Sequence, residues 1–357
     1  VLGFRRLGAH GAGVTALAFL PRGAGAGPLL VSGGADNATR LWDARTGEAL
    51  GMQPHPKTVF GVAASPDPPA GGVAGAAGAA DGAAGDRAFA TACWDGVVRL
   101  FRAPAGALLG ELHGHQGGLY AVAFSPLDTA LLASVGADRT VRVWDARRLE
   151  ALWTVRGHGD HVTTVDWSPL EPYILASGGW DRKFRLWEFS EAQVRACRGG
   201  SGCGGSPAAR AVARHPQLVW RVAFAPGGQL VAACHGAVGQ NPTVVVYEAA
   251  TGRVVRRLGR HKDTPLVVAW SPDGAILASA GMDQKVLLYD GQVALDDLPQ
   301  GDLDDAEERS AWSRDLLEFR VGGPANNGSN GTAASGGLGN GGGAPSPHPL
   351  AGRMAYF

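Results

Sequence analysis

Three residues of hydrolytic type fall within one short stretch of the chain: His115, Ser134 and Asp138. A serine, a base and an acid are what acyl transfer requires, one nucleophile held by one imidazole. The same trio recurs as His10, Ser32 and Asp36, as His158, Ser177 and Asp181, and as His261, Ser279 and Asp283. An enzyme needs a single exposed nucleophile, so a trio repeated four times reads as architecture, and no catalytic residue is assigned. Cys197 and Cys203 precede His215, but zinc sites use tighter pairs, typically C-x₂₋₄-C with two further ligands. No metal ligand is assigned, and the loop reads as a bland connection. The acceptor patterns at Asn327 and Asn330 sit in a low-complexity segment with no secretory signal ahead of it, and read as chance. Neither a G-x-x-x-x-G-K-[ST] phosphate loop nor an H-E-x-x-H zinc helix occurs, and no cofactor is expected.

Repetition of the trio points to the elements that must position it. Turn histidines stand at His10, His55, His115, His158, His215 and His261, with gaps of 45, 60, 43, 57 and 46 residues. The two long gaps hold inserts, 66–86 (PDPPAGGVAGAAGAADGAAGD) and about 197–209 (CRGGSGCGGSPAA). Without them the period is about 40–45 residues, the length of a four-stranded propeller blade. Runs such as LYAVAF, HVTTVDW, VWRVAF and LVVAW are nearly continuous apolar stretches, as strands covered on both faces require. The spacing predicts an all-β propeller of six recognisable blades, with seven possible. The blades fall near 8–54, 55–112, 113–156, 157–213, 214–259 and 260–290, within a domain spanning 1–290.

Asp36 and Trp42, Asp95 and Phe101, Asp138 and Trp144, Asp181 and Trp187, and Asp283 and Tyr289 are each six apart. The dipeptides Trp42-Asp43 and Trp144-Asp145, with Trp187-Glu188 and Tyr289-Asp290, close these units. In these features the chain resembles the WD-repeat family over residues 8–290. The resemblance implies tetrads of His10, Ser32, Asp36 and Trp42; of His115, Ser134, Asp138 and Trp144; of His158, Ser177, Asp181 and Trp187; and of His261, Ser279, Asp283 and Tyr289. In each, Asp accepts from His, Ser joins the imidazole, and the Trp ring nitrogen donates to Ser. Blade 2 carries Phe101 at the Trp place, and blade 5 has CHGAVGQNP with no Asp six before Tyr247, so both are expected to be less rigid.

The resemblance also implies a partner-binding face at the end where inner strands begin. There, Phe60, Tyr120 and Trp220 share one inner-strand position, Trp94 and Trp180 precede the turn Asp, and Arg139 and Arg182 follow it. Aromatic rings beside arginines are the composition of a peptide hot spot. A second surface is Trp-Asp-Ala-Arg at 42–45 and 144–147. With LLVSGGAD and LLASVGAD upstream it resembles the DWD box of WD-repeat substrate receptors of cullin-type ubiquitin ligases, which dock on a triple-propeller adaptor; Arg45 and Arg147 are the implied contacts. A regulatory propeller of a larger enzyme, its catalytic domain outside these residues, is a further reading.

Lys+Arg and Asp+Glu both number 32 among 357 residues, which leaves no basic footprint for nucleic acid. No apolar run of about 18 residues is present, so no membrane insertion is expected. Four scattered cysteines argue against a disulfide framework and for an intracellular setting, cytoplasm or nucleus. The start, VLGFRRLGAH, has neither a methionine nor a signal h-region, and is expected to belong to something longer. Segment 291–321 is acidic, with 310–319 reading as a short helix or a strand. Residues 1–7 read as a fourth strand that either closes blade 6 or ends a seventh blade, and 315–321 is the alternative closing strand. Residues 322–357 are Gly, Asn, Ser, Ala and Pro-rich, a composition that does not order. The function expected is a non-enzymatic scaffold or adaptor in a multiprotein complex.

Overall fold

The computed structural model describes residues 10–20, 27–66, 87–200, 203, 205, 207–236, 243–291 and 315–320. Insert 66–86 thus lies almost wholly outside the described residues, as do the segments 1–7 and 322–357.

Twenty-four described strands form six antiparallel sheets, each of four strands consecutive in the chain. Blade 1 comprises β1 (Val14–Leu20), β2 (Leu29–Gly34), β3 (Ala38–Asp43) and β4 (Ala49–Pro54). Blade 2 holds β5 (Val59–Ala64), β6 (Arg87–Cys93), β7 (Val98–Ala103) and β8 (Ala107–Leu112). Blade 3 holds β9 (Leu119–Phe124), β10 (Leu131–Gly136), β11 (Thr140–Asp145) and β12 (Glu150–Arg156). Blade 4 has β13 (Val162–Trp167), β14 (Ile174–Gly179) and β15 (Lys183–Glu188), then helix α1 (Glu191–Arg198), then β16 (Ala208–Arg214). Blade 5 is β17 (Val219–Phe224), β18 (Leu230–His235), β19 (Thr243–Glu248) and β20 (Val254–Leu258). Blade 6 is β21 (Pro265–Trp270), β22 (Ile276–Gly281), β23 (Lys285–Asp290) and β24 (Asp315–Arg320). The segment read as helix or strand is therefore a strand over 315–320, hydrogen-bonded to β23 as the outer strand of blade 6.

Each sheet has two apolar faces, which one sheet cannot bury alone, so the blades stack. Along β9, Val122 and Phe124 turn to blade 2, where they meet Ala90, Leu100 and Leu112. Ala121 lies on the opposite face, with Leu131, Ala133, Val141 and Val143, and meets Val162, Val165 and Trp167 of blade 4. Equivalent clusters join blades 1 and 2, 4 and 5, and 5 and 6. Indole nitrogens add to two of these seams: Trp167 donates to the Ala123 carbonyl at 3.1 Å and Trp270 to that of Ala223 at 3.2 Å.

One element was not foreseen. Helix α1 fills the β15–β16 connection, with Ser190 accepting from the Gln193 amide and Gln193 returning a bond to Ser190, a capping box. The pattern Ser190-x-x-Gln193 is legible in the sequence. Cys197 and Cys203 are joined in a disulfide, so this loop is a closed one and not the bland connection expected. Among the described residues no helix is long and apolar enough to cross a membrane.

Candidate functional site

The four histidine-centred networks have one geometry. In blade 3, His115 Nδ1 lies 2.9 Å from Asp138 Oδ2, His115 Nε2 lies 2.8 Å from Ser134 Oγ, and Trp144 Nε1 donates to the same Oγ at 2.8 Å. Blade 4 repeats this through His158, Asp181, Ser177 and Trp187 at 3.0, 2.7 and 2.8 Å. Blade 1 does so through His10, Asp36, Ser32 and Trp42 at 2.9, 2.7 and 2.8 Å. In blade 6, His261 stands 3.0 Å from Asp283 and 2.6 Å from Ser279, while the Tyr289 hydroxyl reaches Ser279 at 3.4 Å.

Electrostatics orders the protons. Burial pushes the Asp138 carboxyl up, but the His115 hydrogen bond and charge, with the Gln116 amide and Thr140, outweigh it and hold the group well below the usual carboxylate range. Burial pushes His115 and His158 down despite their carboxylates. The acid is therefore ionised and the imidazole neutral. Nδ1–H donates to Asp138, and Nε2 accepts from the serine hydroxyl, whose oxygen accepts in turn from Trp144. Ser134 is 0% exposed. A serine so placed cannot reach a substrate.

The two departing blades use substitutes. In blade 2, His55 Nε2 pairs at 3.0 Å with Thr39 of blade 1, and Asp95 pairs at 2.8 Å with Arg99. In blade 5, His215 Nε2 contacts the Tyr247 hydroxyl at 2.8 Å and its ring lies 4.6 Å from that of His235. Burial drives His215 to about 3 and His55 and His235 to about 4, so all three are neutral near pH 7.

At the end where inner strands begin, the aromatic residues form a continuous path across blades 2 to 5. Phe60 lies 5.3 Å from Trp94 and 5.8 Å from Tyr120; Trp94 and Tyr120 are 5.1 Å apart, edge to face. Tyr120 lies 5.8 Å from Trp180, and Trp180 lies 6.3 Å from Trp220. His161, which residue spacing did not single out, joins them. It stacks on Trp180 at 4.6 Å and meets the Tyr120 hydroxyl at 3.1 Å. Burial and the Arg139 charge lower its pKa against the opposing pull of Asp160, so it behaves as a further neutral ring. Burial and Asp160 raise the Tyr120 phenol, which stays protonated.

Phe60, Trp94, Tyr120, His161 and Trp180 are half-buried. Trp220 differs: at 4% exposure, with Nε1 donating to the Gly236 carbonyl at 3.0 Å, it belongs to the blade 5 core beneath the path. Arg139 and Arg182 are exposed at the adjoining turns, both with left-handed backbone (φ 66° and 59°).

The Trp-Asp-Ala-Arg segments lie at the opposite end, after β3 and β11. In both, the Asp oxygen caps the turn. Asp43 accepts from the amides of Arg45 and Thr46 at 2.9 Å, and Asp145 from those of Arg147 and Arg148 at 3.0 Å. Arg45 and Arg147 are exposed, and Arg147 reaches Thr129 at 3.2 Å. The blade 3 segment carries an extra contact. Arg198 of α1 donates to Asp145 at 2.9 Å and to Asp128 at 2.8 Å, strapping the helix onto this end of blade 3.

Comparison with known proteins agrees with this architecture. The model of the WD domain, G-beta repeat, matches residues 4–43, 106–145, 149–188 and 252–290. Denticleless protein homolog B of Xenopus laevis is 40% identical over 63 residues, 18% of this chain and 9% of that protein. Subunit I of eukaryotic translation initiation factor 3 from Coccidioides immitis (strain RS) is 44% identical over 63 residues, 18% of each chain. WD repeat and SOCS box-containing protein 1 of Xenopus tropicalis is 29% identical over 119 residues, 33% of this chain and 24% of that protein. The matches thus span less than a quarter of any of these relatives' lengths. WD repeats are protein-interaction modules, and the four matched units lie among six sheets of one design, so this chain contains WD repeats.

Proposed function

We propose that this chain is a non-enzymatic scaffold that binds a peptide or protein segment on the aromatic end of the propeller. The observation that carries the reading is the unbroken path Phe60–Trp94–Tyr120–His161–Trp180 over blades 2 to 4, every residue of it only half-buried. Large rigid rings give contact area at small entropic cost, and such residues dominate binding hot spots. Arg139 and Arg182 beside them favour a segment that carries carboxylates or exposed carbonyls.

A second reading makes the chain a substrate receptor of a cullin-type ligase, docking through its opposite end. It is favoured by Arg45 and Arg147, which present the same Asp-capped turn twice.

One experiment separates the two. Partners captured by the intact protein are compared with those captured by Tyr120→Ala and by Arg147→Ala, each shown by melting to be folded. Loss of a captured partner by more than tenfold in Tyr120→Ala alone supports the scaffold reading. Loss of a triple-propeller adaptor in Arg147→Ala alone supports the second. Capture unchanged in Tyr120→Ala overturns the first reading.

A further inference from the structure

The rings of the aromatic path touch one another, and the polar groups they leave over are hydrogen-bond donors. Successive centroids from Phe60 to Trp180 stand 4.6–5.9 Å apart, contact distance for aromatic pairs. A cation held by π-faces needs rings set around an open space, and these are set against each other. Trp94 of blade 2 lies so closely on Gly118, just ahead of β9, that a methyl group there would collide with the indole. The backbone beneath it therefore fixes that ring. Trp94 Nε1 has no hydrogen-bond partner among the described residues. Tyr120 and His161 spend one bond on each other, between the phenol and Nδ1 at 3.1 Å. That bond leaves one donor over: the Nε2–H when the phenol donates, the phenolic O–H when Nδ1 does. Arg139 and Arg182, exposed at the flanking turns, carry donors and no acceptor. Asp160, the exposed carboxylate beside them, already accepts from the His161 amide at 2.8 Å.

The complement of such a surface is a segment with the opposite imbalance, apolar and rich in acceptors. A helix has spent its carbonyls on itself. A strand presents N–H groups along with its carbonyls and needs acceptors in return. A proline-rich segment presents carbonyls and no N–H of its own, and in the polyproline II form those carbonyls are all open. Its rise of about 3.1 Å per residue sets alternate residues about 6 Å apart, which is close to the ring-to-ring step of the path. Proline also fixes φ in the free chain, so less order is lost on docking.

We propose that the occupant of the aromatic path is a proline-rich segment in the polyproline II form. Its pyrrolidine rings lie against Trp94, Tyr120 and Trp180, its carbonyls accept from Trp94 and from the Tyr120–His161 pair, and acidic side chains beside the prolines reach Arg139 and Arg182. This rests on the scaffold reading of the same end and adds to it the chemistry of the partner.

Fluorescence anisotropy with labelled synthetic peptides tests it on the full polypeptide. The probes are a run of prolines flanked by glutamates, the same run flanked by lysines, and a run of alanines flanked by glutamates. The first is expected to bind about tenfold more tightly than either of the others. Trp94→Phe keeps a ring and loses the N–H, and should weaken the first peptide about threefold to tenfold, the size of one net hydrogen bond. Tyr120→Ala should abolish its binding. Arg139→Gln/Arg182→Gln should erase the preference for glutamate over lysine flanks and keep the preference for proline over alanine. Equal binding of the first peptide and either control overturns the proposal, and that comparison needs no variant to fold. So does no binding of the first peptide at millimolar concentration, or binding indifferent to Tyr120→Ala. If the peptides fail while Tyr120→Ala still loses a captured partner, the scaffold reading stands and the proline chemistry alone falls.

Discussion

Ser134 is the residue whose removal tests the network most sharply. Ser134→Ala subtracts one oxygen from a site with no exposure and leaves two groups without partners: the Trp144 Nε1–H, 2.8 Å away, and the His115 Nε2 lone pair, 2.8 Å away. A buried polar group stripped of its partner costs about 1–3 kcal/mol, so the loss is about 2–6 kcal/mol. Trp144→Phe removes the donor and some of the packing against Leu132 and Val122. Made together, the two changes leave no orphaned indole N–H, and the double variant should be less destabilised than the sum of the singles by about 1–3 kcal/mol. Blade 2 carries only half of that change, with Phe101 at the Trp place and a hydroxyl kept by Thr91 at the Ser place. Urea titration followed by circular dichroism gives the four free energies of the cycle. Hydrogen exchange of β9 to β11 shows whether the loss is local. Strict additivity of the two single losses would refute the reasoning, because it would mean that Trp144 and Ser134 stabilise blade 3 through packing alone. Ser134→Ala costing under about 0.5 kcal/mol would refute it too.

Two carboxylates should give opposite pH dependence. Burial raises Asp36, but hydrogen bonds from His10, Arg40 and the Gly11 amide outweigh it and hold the acid at about 2, below its unfolded 3.8; its stabilisation is complete above about pH 4 and is lost as pH falls toward 2. Burial pushes Asp166 up to about 6 against the Phe224 and Trp167 amides and the Arg221 charge, so its folded form holds a proton that the unfolded chain releases, and stability falls as pH rises from about 4 to above 6. Melting temperatures from pH 2 to 8 should lose the first slope in Asp36→Asn and the second in Asp166→Asn; slopes that persist would exclude these groups. Arg198→Ala should free α1 from blade 3, raising amide exchange over 191–198 at a global cost of about 1–2 kcal/mol, since Asp145 keeps its two amide donors. Unchanged exchange there would show that Cys197–Cys203 and Val194 hold the helix without it.

Repetition made the propeller legible. Six-residue Asp-to-Trp spacings fix the β2–β3 type of turn, and the apolar runs fix inner strands, because every blade solves one packing problem. Features that occur once were harder to read. Helix α1 lies just ahead of an insert whose glycine content suggested a bland loop, yet Ser190 and Gln193 carry its capping signal. Trp220 has the register of Phe60 and Tyr120 but lies buried, since Gly236 offers its indole a carbonyl acceptor. Register places a side chain at one end of a blade; whether it stays in solvent depends on the neighbouring turn. His161 escaped notice for the converse reason: it falls in the loop before β13, where no repeat position marks it, and only the geometry brings it onto Trp180.

The structural residues and the proposed binding residues share the same turns. Trp180 immediately precedes Asp181, whose carboxylate is held by His158, by the Gly159 amide at 3.0 Å and by the Lys183 amide at 3.1 Å. The turn that presents the indole is thus pinned on three sides, and His161, two residues beyond Gly159, is carried on the other strand end of the same clamp. Ring orientation at this end is set before any partner arrives, which lowers the ordering cost of binding. Trp94 sits on the weaker version, its Asp95 tied to Arg99 and the Val97 amide but to no histidine. The path therefore rests on a histidine-clamped turn in blade 4 and on a turn held without a histidine in blade 2. On the proposed scaffold reading, a partner that needs fixed geometry gains most from Tyr120, His161 and Trp180, with Phe60 and Trp94 adding contact area.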